Sequence, residues 1–185
     1  MNKITLLAVI GLTAFFVSCV VPSLHPFYTE KDVVFDKDLL GIWAEENGNN
    51  IIIFREKVHN VYTVENIQES KSAQYQGHLF KLNGHLYLDL YPEYEGKNSL
   101  HSLHLIPVHS IMQCRLESDK MVLYPLNYEE IEKDLTSGQL RGLRYEKFDD
   151  RIILTSPTSE LQKFIISYAE DKNIFTEVHV LKKIK

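Results

Sequence analysis

Cysteine is almost missing from this chain. Among 185 residues only Cys19 and Cys114 carry a thiol, which excludes a disulfide-dense scaffold and any Cys-x-x-Cys metal or redox spacing. The sequence also lacks a Gly-x-Ser-x-Gly elbow, a phosphate-cradling glycine loop and a His-Glu-x-x-His helix motif, so no enzymatic reaction is expected. No apolar run reaches the roughly 20 residues that a membrane-spanning helix needs. Internal repeats, low-complexity tracts and long Ser/Gly linkers are absent as well. Basic charge is in short supply: 20 Lys and Arg stand against 25 Asp and Glu, a net charge of −5. Non-specific nucleic-acid binding runs on phosphate neutralisation by cations, so nucleic acid is not an expected partner. Tryptophan occurs once, at Trp43.

The N-terminus has a pattern of its own. Lys3 is followed by an uncharged stretch over residues 4–17, rich in Leu, Val, Ile and Phe. A positive start and a short apolar run are the marks of a cleaved export signal. The run ends in Val17-Ser18-Cys19, which resembles the lipobox of bacterial lipoproteins, although Phe16 stands where that family usually has Leu. The resemblance implies that residues 1–18 are a signal peptide and that Cys19 is the lipid attachment site, acylated with palmitate-type chains. An uncleaved anchor helix and a soluble secreted protein are the alternatives. The first wants a longer run and a basic flank, the second a small-x-small cleavage site. A Cys19–Cys114 bridge would contribute about 2–4 kcal/mol but would tie a terminal arm to a predicted strand. Val20 follows the cysteine in place of the aspartate associated with inner-membrane retention. By the same resemblance the protein is expected in the cell envelope, lipid-anchored to the outer membrane and facing the periplasm.

Residues 19–38 read as a lipid-anchored arm, and residues 39–185 as a single β-rich domain. The arm holds Leu24, Phe27, Tyr28, Val33, Val34 and Phe35, too many apolar groups for a solvated tether, so it is expected to pack on the domain. It also resembles the opening of uncharacterised bacterial envelope proteins, which implies no activity.

Beyond Leu39 the dominant period is two. Asn83-Gly84 between alternating runs is a strong hairpin signal, with Leu86, Leu88 and Leu90 on one face and His85, Tyr87, Asp89 and Tyr91 on the other. Further hairpins are expected across Ser118-Asp119 and Asp149-Asp150, and a final strand from about Ile174 to Leu181. Alternation places Cys114 on a face with Val108, Ser110, Met112 and Leu116, where a lone cysteine acts as a small packing residue. Two helices interrupt the strands. Asn127 caps the first, with Glu130 three residues on and Gly138 as its stop. Ser156 or Thr158 caps the second, with Leu161, Phe164, Ile165 and Tyr168 as its apolar stripe. The expected fold is mainly β: eight to ten antiparallel strands with two short helices, in a barrel or strongly curved sheet.

Gly41-Ile42-Trp43 opens the first strand and resembles the Gly-x-Trp signature of lipocalin-like (calycin-type) barrels. The resemblance implies that Gly41 and Trp43 lie at the barrel base and that the barrel holds an apolar ligand. Trp43 suits an ordinary core position equally well. The family's Thr-Asp-Tyr motif is missing, and Lys182 and Lys183 stand where its stacking arginine would be.

The chemistry-bearing residues form no recognisable constellation. On an extended strand His104 has the opposite parity to both His101 and His109, so no metal ligand is assigned. Calcium takes about 6–8 oxygens, and Asp89, Glu93 and Glu95, separated by tyrosines, form no recognisable site for it; Asp89 with Glu93 is a pairing that any acidic β-protein offers. No cofactor is expected. Two functions remain: an envelope lipoprotein that holds a small apolar or amphipathic ligand in its barrel, or a structural or protein-interaction module without a cavity. In the second case Tyr91 and Tyr94, on the loop over residues 91–102, are the candidate contact surface for another envelope protein.

Overall fold

The computed structural model describes residues 20–58, 60–93, 105–149, 151–168, 174–175 and 178–184; Cys19, Tyr94, Glu95, His101 and His104 lie outside them. Ten strands and two α-helices form within the described residues. They are β1 (Gly41–Glu45), β2 (Asn50–Glu56), β3 (Tyr62–Gln68), β4 (Lys71–Leu82), β5 (His85–Pro92), β6 (Ser110–Leu116), β7 (Lys120–Pro125), β8 (Tyr145–Phe148), β9 (Arg151–Leu154) and β10 (His179–Lys183), with α1 (Tyr128–Thr136) and α2 (Thr158–Tyr168). Eight strands close an antiparallel barrel in the order β1-β10-β7-β6-β5-β4-β3-β2, and β8 and β9 form a separate hairpin. The mainly β, lipocalin-like barrel with two helices expected from the sequence is the fold that forms.

Local chemistry accounts for the turns. Asn83 and Gly84 have φ of 48° and 81°, the left-handed pair that a two-residue hairpin requires, and Leu82 pairs with His85 across them. Ser118-Asp119 joins β6 to β7, with Glu117 and Lys120 bonded backbone to backbone. At α1 the Asn127 side chain accepts from the Glu130 amide at 3.2 Å, and Gly138, φ 74°, follows the helix. At α2 the Thr158 hydroxyl turns away from the helix and donates to Pro26 O at 2.8 Å. The last strand is shorter than its alternation suggests. Phe175 makes a single bridge to Leu126, and Ile174 and Phe175 pack outside the barrel before β10 begins at His179.

The molecule has two cores, one on each side of the barrel wall. Trp43, Phe54, Tyr62, Leu79, Leu88, Cys114, Met121 and Leu181 fill the interior. Phe80, Leu82, Tyr87 and Ile111 point outward from β4, β5 and β6 and are buried beneath α1, α2, the β8–β9 hairpin and the arm. The faces of β5 distinguished by alternation are therefore both covered: Leu88 looks inward and Tyr87 outward, each almost fully buried.

One end of the barrel is plugged. Gly41 enters β1 at φ 126°, a conformation that side chains disfavour. Trp43 is fully buried and donates Nε1–H to Leu39 O at 2.8 Å, within a 3-10 turn at Lys37–Leu39. Lys183, from the closing strand, lies 5.1 Å from the centroid of the Trp43 ring and donates to Asp38 O at 2.7 Å. A lysine thus supplies the cation over the tryptophan.

The arm starts at the other end and runs across the outer wall. Ser23 pairs with His109 at the start of β6 while Leu24 N–H donates to Leu154 O, so the arm bridges β6 and β9. Val33 then pairs with Phe80 on β4, and Val34 N–H donates to Leu79 O at 2.8 Å. Phe27 is fully buried in the outer core, worth about 1.5–3 kcal/mol by transfer. Leu24 is the exception among the arm's apolar residues and stays exposed.

Candidate functional site

Opposite the plug the barrel interior is unfilled. A cavity of about 110 Å³ lies among residues at the starts of β2, β6 and β10 (Asn50, Ser110 and His179) and near the ends of β3 and β5 (Asn66 and Leu90). Alternation explains its lining: the inward residues Ile52, Phe54, Val64, Leu88, Met112 and Leu123 give apolar walls. Tyr75 and Val20, the first described residue of the arm, complete it. Gly77 faces the same interior, and a Cβ there would lie 2.6 Å from Val64 Cγ2, so glycine at this position lets the wall close around Val64.

A short polar chain sits at one side of the cavity. Glu45 Oε1 lies 3.0 Å from His179 Nδ1 and 3.3 Å from Asn50 Nδ2. A carboxylate only accepts, so the imidazole proton is on Nδ1 and the Asn50 amide nitrogen faces Glu45. That orientation commits Asn50 Oδ1 to the other direction. Asn50 is 1% exposed, and its Oδ1 has no hydrogen-bond partner among the described residues. A buried carbonyl left unsatisfied costs on the order of 1–3 kcal/mol. Asn50 lines the cavity, so a donor that reached this buried oxygen would satisfy it, beside a carboxylate that repels anions.

A water's share of liquid volume is about 30 Å³, so the cavity holds about three or four groups of that size, a methylene being similar. At about 0.8 kcal/mol per buried CH2, that is roughly 3 kcal/mol of transfer free energy. Pockets for drug-sized ligands run to about 300–1,000 Å³. A slender group or the end of a chain fits here, and a whole lipid does not. A broader cleft of about 610 Å³ lies between residues 139–143 and α2, lined in part by Arg141, Glu160, Lys163 and Phe164. It is open, and the Arg144–Glu160 ion pair at its edge is solvated.

A second polar group is buried on the outside of the wall. Asp89, fully buried on β5, accepts from the Phe27 amide at 3.2 Å and lies 2.7 Å from His109 Nδ1. His78 stacks on Tyr28, ring centroids 4.5 Å apart, with its Nδ1 buried and without a hydrogen-bond partner among the described residues. Burial pushes the His78 pKa down, partly offset by the Asp89 charge. Burial likewise raises Tyr28 to about 12, with Asp89 adding to it. This cluster fastens the arm to the barrel, and Asp89 and Glu93 do not act as a pair: Glu93 takes Lys57 as its partner.

The remaining candidates fall as follows. Cys114 is a free thiol packed inside the barrel, raised to about 12 by burial. Tyr91 belongs to β5, its ring 4.6 Å from that of His109. Tyr94 and the histidines His101 and His104 lie outside the described residues, as does Cys19, the candidate lipid attachment residue. Among the described residues no three His, Cys, Asp or Glu side chains group as metal ligands, and no helix is long and apolar enough to cross a membrane. Sequence reading missed the Asn50–Glu45–His179 chain. The signal available was an Asn at an inward position of β2, next to the isoleucines. Comparison with family models, curated proteins and solved structures finds no match.

Proposed function

We propose that this protein is a membrane-tethered binding module of the bacterial envelope, anchored through Cys19, whose barrel holds a small amphipathic ligand at its open end. The observation that carries this reading is the apolar cavity with one unsatisfied acceptor, Asn50 Oδ1, directed away from Glu45. The ligand it suits is slender and apolar, with a hydroxyl or amide donor and no negative charge, because Glu45 disfavours a carboxylate. Asn50 orients the donor, and His179 holds the Glu45 carboxylate in place. With about 3 kcal/mol from the walls and about 1 kcal/mol from a hydrogen bond, affinity falls near the millimolar range. An interaction module is the second reading, favoured by the close filling of the plugged half of the barrel.

Two matched probes of four heavy atoms test the ligand reading, 1-propanol and 1-chloropropane. At ten times its Kd a probe stabilises by about 1.4 kcal/mol, raising the melting temperature by about 3–6 °C for a chain of this size. The alcohol is expected to bind severalfold more tightly than the chloride, and Asn50→Leu to erase the difference. If neither probe shifts the transition, the binding reading fails and the interaction module replaces it. The anchor is tested separately: Cys19→Ser should move the chain from the membrane to the soluble fraction with its fold intact, and continued membrane association would refute it.

A further inference from the structure

We propose that the open end of the barrel is a bilayer-docking face, so that the cavity mouth lies against the membrane. The proposal rests on the Cys19 anchor reading and adds an orientation to it.

The first support is where the described chain begins. Val20 lines the cavity. Adjacent Cα atoms are about 3.8 Å apart, so an acylated Cys19 stands one residue from the mouth, with no spacer to let the barrel turn away from the lipid. The start of the arm is also fixed: Val21 and Ser23 are fully buried, and Ser23 and His109 exchange backbone hydrogen bonds at 2.9 and 2.8 Å.

The second support is the surface around that point. Leu24, Leu105, Ile106 and Val178 are 40%, 37%, 69% and 53% exposed. Each belongs to a segment that borders the mouth. Leu24 follows the residue paired with His109, Leu105 and Ile106 lead into β6, and Val178 precedes His179 of the cavity lining. Exposed apolar surface beyond scattered single residues marks an interaction site. Val58, Phe148 and Ile166 are exposed in other segments, while these four are assigned to one end of the barrel by their segments. Sited beside a lipid attachment point, they suit a bilayer and would insert as a shallow apolar rim.

Charge shapes the contact. Glu45, Glu46 and Glu69 stand at the ends of β1 and β3 on this side, against Lys71 and Lys182, the latter 3.5 Å from Glu46. The rim is therefore held by apolar contact rather than by attraction to anionic lipid, and zwitterionic vesicles should suffice. Docking also makes sense of a weak cavity. With the mouth on the bilayer, amphipathic molecules in the membrane face the site at high effective concentration, which compensates for low intrinsic affinity.

The test uses the full chain, isolated from its host membrane and reconstituted into phosphatidylcholine vesicles. Single variants Ile106→Cys at the mouth and Ile184→Cys beyond the plugged end carry a polarity-sensitive fluorophore. Both native residues are exposed, at 69% and 61%, so neither change threatens the fold. Cys114 is buried and an acylated Cys19 is blocked, so the wild-type chain should take up no label. The expected result is severalfold stronger quenching by nitroxide-bearing lipids at position 106 than at 184, unchanged when anionic lipid is added. Equal quenching at the two positions, or stronger quenching at 184, overturns the orientation while leaving the anchor intact. Labelling of the wild-type chain at Cys19 overturns the anchor, and the orientation with it.

Discussion

Replacing Asp89 should uncouple the arm from the barrel, and the size of the effect depends on what replaces it. The carboxylate is fully buried between the Phe27 amide and His109 Nδ1, at 3.2 and 2.7 Å. Asp89→Leu fills the space but strands the amide and the imidazole. Each buried donor left without its acceptor costs about 1–3 kcal/mol, so the loss is about 2–5 kcal/mol. Asp89→Asn is gentler. Its carbonyl can still accept from Phe27, and its amide can donate to His109 Nδ1 in the other tautomer, so both bonds survive at neutral strength. The loss is roughly 1–2 kcal/mol. Urea unfolding gives the two values, and hydrogen exchange at the Phe27 amide shows whether the arm opens locally. The double variant Asp89→Leu/His109→Leu should recover part of the loss, because the stranded imidazole is then gone as well. The argument is refuted if Asp89→Leu unfolds within about 0.5 kcal/mol of wild type, the ordinary range of inconsequential surface changes. Faster exchange at Phe27 with unchanged global stability would place the carboxylate in the latch alone.

Three further outcomes follow from the same packing. Gly77→Ala forces a methyl to 2.6 Å from Val64 Cγ2 and should cost about 1–3 kcal/mol in denaturant unfolding, with Val64→Ala in the same chain relieving most of it. Lys183→Met removes the cation over Trp43 and the bond to Asp38 O, and should lower stability by about 1 kcal/mol without affecting ligand binding at the far end. Burial holds the His78 pKa below its ordinary 6.5, so the unfolded chain takes up that proton first as pH falls. Stability should therefore be full above pH 6.5 and decline below it, and His78→Phe should flatten that slope in melting experiments between pH 7 and 5. Asp32 acts in the same direction at lower pH. Burial raises it, but bonds from Thr29 and Gln162 outweigh that and leave it below its ordinary value, so the arm-to-α2 contact weakens as pH falls through the acid range.

The features legible in the sequence are those decided by neighbours along the chain. Asn83-Gly84 specifies its turn because two adjacent residues must take positive φ, and Asn127 specifies a helix start because its partner is three residues away. Alternation likewise separated Leu88 from Tyr87 and put Cys114 among packing residues. It was silent on what covers each face. Nothing within β5 reveals that Tyr87 lies under Phe175, 88 positions later in the chain, or that Asp89 receives the amide of Phe27. The cavity was illegible for a related reason. Ile52, Phe54 and Leu88 would look the same whether they lined a void or filled it, and the choice depends on the summed shape of several strands. Asn50 was the one local hint, and it gains meaning only once Glu45 and His179 are seen to converge on it.

The two cores also determine how the cavity can respond to a ligand. Its walls on β5 and β6, through Leu88, Leu90, Ser110 and Met112, are backed by the outer core, in which Tyr87 and Ile111 are already packed. Close-packed interiors resist displacement, so this side is stiff. The walls on β2, β3 and β10 contribute Asn50, Ile52, Val64, Asn66 and His179, and there the outward residues are less protected, with Val180 on β10 41% exposed. A guest that pushes the cavity walls apart therefore displaces the β2–β10 side, where the Asn50–Glu45–His179 chain lies. Enlarging the cavity strains the same hydrogen bonds that orient the ligand's donor. Size and polarity are thus read together: a small donor-bearing guest leaves that chain intact, and a bulky apolar one has to break it.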